Sequence, residues 1–210
     1  MLAGGRARRL GGADKPLVPV GGRTLLDHAV LACSGARTTV VVGPPRPTLR
    51  PVRHVREEPV HGGPLAALAA GMRAVDTPLV VVLAADLPFV RREAVEQLPA
   101  QVVESGADGV VMWETQGRDN PLFAAYRADA LRRGIASLTE RYGALTGLPI
   151  RSLTGGLALR YVPDVHGVSF DCDTWEAVAL ARACLAAGRR CEGPGPNGSR
   201  AELWAAVPDG

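Results

Sequence analysis

The chain alternates short runs of β-branched residues with longer stretches rich in Ala and Leu. TTVVV at 38–42 and PLVVVLAAD at 78–86 place apolar residues at successive positions rather than at every second one, the pattern of strands covered on both faces. DGVVMW at 108–113, PLFAAYR at 121–127 and ALRYVP at 158–163 read as further strands. PLAALAAGMRAV at 64–75, REAVEQLPAQVVESG at 92–106, residues 128–147 and TWEAVALARACLAAG at 174–188 have helical composition, and Pro99 predicts a kink or break in the second of them. Strand and helix in alternation predict an α/β domain, a mostly parallel sheet with helices on both faces and right-handed crossovers. No internal repeat is visible. After Gly188 the composition shifts to Pro, Gly, Asn and Ser, so the chain reads as one domain over 1–188 and a disordered tail over 189–210.

Length and charge narrow the function classes. A chain of 210 residues can bury its own core. A net charge of +3, with arginines dispersed in pairs such as Arg91-Arg92 and Arg132-Arg133, speaks for solvated helix faces and against a nucleic-acid partner. Cys33, Cys172, Cys184 and Cys191 lack metal-type spacing, as do the histidines, which predicts inert thiols in a reducing compartment. With no apolar run of membrane length and no signal-peptide pattern, the expected place is the cytoplasm, away from any membrane.

The opening stretch, MLAGGRARRLGGADKP, carries the chemistry. In an open α/β sheet ligands bind beyond the carboxyl ends of the strands, and the glycines begin there after only Met1, Leu2 and Ala3. Gly4 and Gly5 let backbone N–H groups approach phosphate oxygens, and Arg6, Arg8, Arg9 and Lys15 add positive charge. The spacing fits neither the dinucleotide fingerprint nor the P-loop. Of 24 basic residues only Lys15 is a lysine, a compact point charge on a thin stem where Arg offers a flat fork. Asp86 ends the 78–86 strand, where a carboxylate can hold Mg²⁺ against phosphate, or simply open a turn before Pro88. Asp173 has a structural alternative too, a capping box with Glu176 at the start of the last helix.

LAGGRARRLGGADKP resembles the signature LAGG-x-S-x-R-x-G-x-x-D-K of the molybdenum cofactor guanylyltransferases and their nucleotidyltransferase relatives, departing from it only at Ala7, where Ser is frequent. VREEPVHGGPLA resembles their segment with an acid before G-P-L-A, SFDCDTWEAV their late N-I-N-T-P-E-D motif, and DNPLFAAYR their Q-P-L-x-A-x-Y segment with Asn120 in place of Gln. The resemblance implies a three-layer α/β/α, Rossmann-like nucleotidyltransferase fold whose first strand is here truncated. It implies nucleotide contacts from Leu2, Ala3, Gly4, Gly5, Arg6 and Lys15, and from Glu58 (with Glu57 the second choice for that acid), Gly63 and Asp86. Mg²⁺ would be held by Asp86 with Asp173 or Asp171, and Lys15, Arg9 and Asp86 would be catalytic. Phe123 and Tyr126 are expected in the core.

The implied activity joins GMP from GTP to molybdopterin and releases pyrophosphate, with a molybdoenzyme or another cofactor-biosynthesis protein as receiving partner. Transfer from CTP or to another small phosphate, and a non-catalytic nucleotide-binding relative, remain the alternatives. Family members carry a complete hydrophobic strand before the glycine loop. The stub of three residues therefore suggests a start placed downstream of the real one.

Overall fold

The computed structural model describes residues 1–5, 8–113 and 117–188; Arg6 and the expected tail lie outside them. After the glycine loop comes a hairpin of β1 (Pro19–Val20) and β2 (Arg23–Thr24), then α1 (Leu25–Ala32), β3 (Val40–Val42), β4 (Arg53–Val55) and α2 (Pro64–Met72). β5 (Leu79–Leu83), α3 (Arg92–Ser105), β6 (Gly109–Trp113) and β7 (Asp119–Arg127) follow, then α4 (Ala128–Tyr142), α5 (Arg151–Thr154), β8 (Leu159–Pro163) and α6 (Trp175–Ala186). Among the described residues no helix is long and apolar enough to cross a membrane.

The sheet is mixed. β3 pairs with β4 in parallel, β6 with β8 in parallel, and β7 lies antiparallel between β5 and β6. The few residues between Trp113 and Asp119 are too short for a parallel crossover, which needs roughly a dozen, so β6 and β7 must turn back on each other. The stub joins the two pieces. Leu2 N–H donates to the Leu83 carbonyl at 2.8 Å and Ala3 N–H to that of Val42 at 2.9 Å, while Val42 and Ala85 donate to Met1 and Leu2. Met1–Ala3 is thus a central strand, parallel to β3 on one side and β5 on the other.

Alternation along the strands sorts the core to two faces. Leu83, Val110, Met112, Phe123 and Ala125 meet α1 and α3; Val82, Val111, Ala124 and Tyr126 meet α2, α4 and α5. Phe123 and Tyr126 are core residues, and the Tyr126 hydroxyl donates to the Pro121 carbonyl at 3.0 Å. A third cluster brings α6 back under the glycine loop, packing Val178 and Ala181 against Leu10, Val18 and Leu25.

Several local expectations change. Pro99 sits inside an unbroken α3, because Val95, Leu98 and Val102 bury one continuous face across it and offset its cost of about 3 kcal/mol. Gly143, at φ 73°, ends α4 at Tyr142 rather than near 147. α1 goes unread in the sequence, although Thr24 with Asp27 marks its start: the Thr24 hydroxyl accepts the Asp27 N–H at 3.0 Å. β4, reading R-H-V, has no apolar run because it lies at a sheet edge. Of the cysteines, Cys33 and Cys172 are free, while Cys184 is disulfide-bonded, against the expectation of inert thiols throughout.

Phe123 is fully buried between α3 and the sheet. Phe123→Ala is expected to cost about 3–5 kcal/mol of stability, read from the midpoint of urea unfolding.

Candidate active site

Three strand ends meet on one side of the sheet: the stub delivers Gly4 and Gly5, β3 leads to Gly43, and β5 leads through Ala84 and Ala85 to Asp86. Gly4 and Gly5 are exposed there. Gly5 has φ 123° with open space around it, so glycine serves the backbone conformation rather than steric clearance.

Lys15 opens a short 3-10 turn, Lys15–Leu17, at the far end of the loop. Its ammonium donates to Asp86 Oδ2 at 2.5 Å and also to Asp173 Oδ1. Burial pulls the Lys15 pKa down, but the charge and hydrogen bonds of Asp86 and Asp173 together outweigh it, and the net direction is upward. The lysine therefore stays charged. Arg9 lies at the rim, its guanidinium 3.8 Å from Asp173, with both side chains well exposed; such a pair contributes little by itself.

Asp173 reaches this point because its segment is tied at both ends. Cys172 N–H donates to the Asp86 carbonyl at 3.1 Å, linking the two acid-bearing segments through backbone. Upstream, the buried Asp164 carboxylate accepts the N–H groups of Val168 at 2.9 Å and Ser169 at 2.7 Å. Downstream, α6 is capped by Thr174, whose hydroxyl accepts the Ala177 N–H at 3.2 Å. This corrects the expected Asp173 capping box: Thr174 does the capping and leaves the Asp173 carboxylate for Lys15. Asp171, the other acid of the motif, is exposed. Cys172 between them is a protonated thiol, its pKa pushed up to about 12 by burial first and then by the Asp86 charge.

The acid beside the glycines is Glu57 and not Glu58. Glu57 is 6% exposed, its Oε1 accepts the His61 N–H at 3.2 Å, and a Cβ on Gly4 would lie 3.7 Å from it. Glu58 is exposed. Adjacent acids cannot be told apart by composition, and the turn through Glu58-Pro59 sends only the first inward. Gly63 precedes α2 at φ 94°, its carbonyl accepting the Ala67 N–H at 3.0 Å.

Sequence reasoning missed Arg46. Its side chain is 8% exposed; Nη1 donates to the Ala3 carbonyl at 2.8 Å, and Nε and Nη2 grip the Asp14 carboxylate at 2.7–3.0 Å. One guanidinium thereby holds both ends of the glycine loop, the residue before Gly4 and the residue before Lys15. Gly43 makes room for it, since a Cβ there would lie 2.8 Å from the Ala3 oxygen. Its signal was position: it stands three residues beyond Gly43, just past the carboxyl end of β3.

Among the described residues no group of three or more His, Cys, Asp or Glu could enclose a metal ion. Two carboxylates do converge, and Asp86 Oδ1 is buried without a hydrogen-bond partner. Hard oxygen donors in this number suit Mg²⁺, which usually takes one or two carboxylates and completes its shell with phosphate and water.

The chain matches the family described as MobA-like NTP transferase domain over residues 1–155. It belongs to that family. It is 34% identical, over 163 residues, to the probable molybdenum cofactor guanylyltransferase of Mycobacterium tuberculosis (strain ATCC 25618 / H37Rv), covering 73% of this chain and 75% of the relative. With the molybdenum cofactor guanylyltransferase of Acidiphilium cryptum it shares 36% over 132 residues, covering 57% and 67%. In fold it is similar to molybdopterin-guanine dinucleotide biosynthesis protein A from Archaeoglobus fulgidus, with a TM-score of 0.68 at 22% identity, covering 89% of this chain and 97% of that one. It is also similar to 2-C-methyl-D-erythritol 4-phosphate cytidylyltransferase from Thermus thermophilus, with a TM-score of 0.63 at 23% identity, covering 88% and 97%. In this MobA-like chain, Asp173 lies beyond the matched span and is placed by α6.

Arg46→Met is expected to lower stability by about 1–3 kcal/mol, because the Ala3 carbonyl and the Asp14 carboxylate lose their donor. Chemical denaturation measures the loss, and faster amide exchange at Gly4 and Gly5 would localise it.

Proposed function

We propose that this MobA-like nucleotidyltransferase joins GMP from GTP to a phosphate of molybdopterin and releases pyrophosphate. The observation that carries this reading is the Lys15 ammonium at the end of the glycine loop, gathered against Asp86 and Asp173 from distant parts of the chain. A layered α/β/α sheet is the scaffold of the proposal, with α1 and α3 on one face and α2 and α4 on the other. The guanylyl specificity and the acceptor rest on the names of the relatives, since no described side chain singles out guanine.

The reaction forms a bond between an acceptor phosphate oxygen and the α-phosphorus of the nucleotide and breaks the α–β bridge. It calls for positioning and charge neutralisation more than for proton transfer. The N–H groups of Gly4 and Gly5 donate to phosphate oxygens in a bend that Arg46 keeps rigid. Lys15, kept charged by its two acids, offsets negative charge growing on the departing pyrophosphate. Glu57, buried beside Gly4, would face the nucleotide in this reading. Asp86 and Asp173 would hold Mg²⁺, which would supply charge neutralisation to the triphosphate.

Lys15→Ala is expected to lower kcat/KM by about 100- to 1,000-fold, in line with removal of one preorganised charge donor. Asp86→Asn should lower it comparably and raise the Mg²⁺ concentration needed for half-maximal rate. A pyrophosphate-release assay with GTP, CTP and ATP, with and without molybdopterin, checks both. Unchanged turnover in Lys15→Ala removes the lysine from this scheme, and release from CTP but not GTP moves the chain to the cytidylyl alternative.

A further inference from the structure

The Lys15 ammonium stands between the two carboxylates that the proposed function gives to a divalent ion, donating to Asp86 Oδ2 at 2.5 Å and to Asp173 Oδ1. An ion shared by those acids would draw on the same oxygens and the same space. Two cations side by side there repel, and the low exposure of the Lys15 and Asp86 side chains, 15% and 22%, leaves that repulsion poorly screened. Nor does the lysine use up what the acids offer. Asp86 Oδ1 is buried without a hydrogen-bond partner, and Asp173 Oδ2 lies 3.8 Å from the Arg9 guanidinium, beyond hydrogen-bond reach. A divalent ion with several coordination positions could take these oxygens, which one singly charged ammonium leaves over.

The frame around the ammonium is built without it. Leu17 N–H donates to the Asp14 carbonyl at 2.8 Å and Val18 N–H to that of Lys15 at 3.0 Å, while Arg46 grips the Asp14 carboxylate. The backbone of Lys15 is therefore fixed, and its flexible stem alone can re-aim the charge. Asp173 is placed by the Cys172 N–H on the Asp86 carbonyl and by the Thr174 cap, again without the lysine. A destination for the charge is near. Arg46 also donates to the Ala3 carbonyl, so the residue before Gly4 and the residue before Lys15 share one guanidinium. Phosphates on the Gly4–Gly5 bend would come within reach of an ammonium carried by the same loop.

We propose, building on the assignment of a divalent ion to these acids, that Lys15 is a placeholder cation. It occupies Asp86 and Asp173 in place of the ion until a triphosphate draws the ammonium onto its own oxygens, and only then do both acids open to the metal. One side chain thus couples the binding of nucleotide and ion positively, and by linkage each raises the affinity of the other by the same factor.

Removing the lysine should therefore strengthen metal binding while it weakens catalysis. In the absence of nucleotide, Lys15→Met is expected to bind Mn²⁺ at least about tenfold more tightly than the unaltered chain, measured by electron paramagnetic resonance, and adding Asp86→Asn should abolish the gain. The unaltered chain carries a direct reporter, because its single lysine gives one Cε–Hε resonance when ¹³C-labelled lysine is incorporated. An α,β-methylene analogue of GTP, whose α–β bridge resists cleavage, should move that resonance even with a chelator present. Equal or weaker Mn²⁺ binding by Lys15→Met overturns the proposal, and so does a lysine resonance that the analogue leaves in place. The resonance needs no substitution, so it decides the matter should the variant fail to fold. Mn²⁺ binding that is indifferent to Asp86 overturns the metal assignment itself, whereas binding that depends on Asp86 yet does not tighten without the lysine overturns the placeholder role alone.

Discussion

The pairing of Leu2 and Ala3 between β3 and β5 is the constraint on which the molecule depends. Three residues of backbone, Met1–Ala3, join the β3–β4 pair to the four-stranded piece, since β3 and β5 do not touch each other's ladders. The same residues launch the glycine loop. The Ala3 carbonyl meets Arg46, Arg46 holds Asp14, and Asp14 precedes Lys15. A sheet contact thus sets the position of a charged side chain through one buried guanidinium. Ala3 at 1% exposure shows how fully the joint is enclosed.

At the site, one buried ammonium lies between two carboxylates, Asp86 and Asp173. Lys15 is mostly buried, and its desolvation would be strongly unfavourable were it not for two carboxylates. Those carboxylates have capacity left over, since Asp86 keeps an oxygen with no partner. A lysine between two acids, with an unused oxygen beside it, is an arrangement that can exchange partners. Under the proposed function, a triphosphate would offer the ammonium new oxygens and a divalent ion would offer the carboxylates a new cation, which gives a chain rich in arginine a reason to keep one lysine. A guanidinium, planar and forked, does not occupy the narrow space between Asp86 and Asp173 as a point charge does.

What the sequence determined by itself was local: the alternation of strand and helix, the glycine loop with Lys15, and Asp86 at the end of a buried strand. Each is written in consecutive residues whose period or composition has a direct physical meaning. Pairings across long separations were decided by the tertiary structure alone. Asp173 rather than Asp171 meets Lys15 across 158 positions, and Arg46 reaches back 43 positions to Ala3. Glu57 rather than Glu58 turns inward, Thr174 takes the cap from Asp173, and β7 reverses because its connection is too short to cross over. Neighbouring acids look alike in a string of letters. Only the tertiary structure separates their roles, by burying Glu57 and leaving Glu58 exposed, and by bringing Lys15 to Asp173.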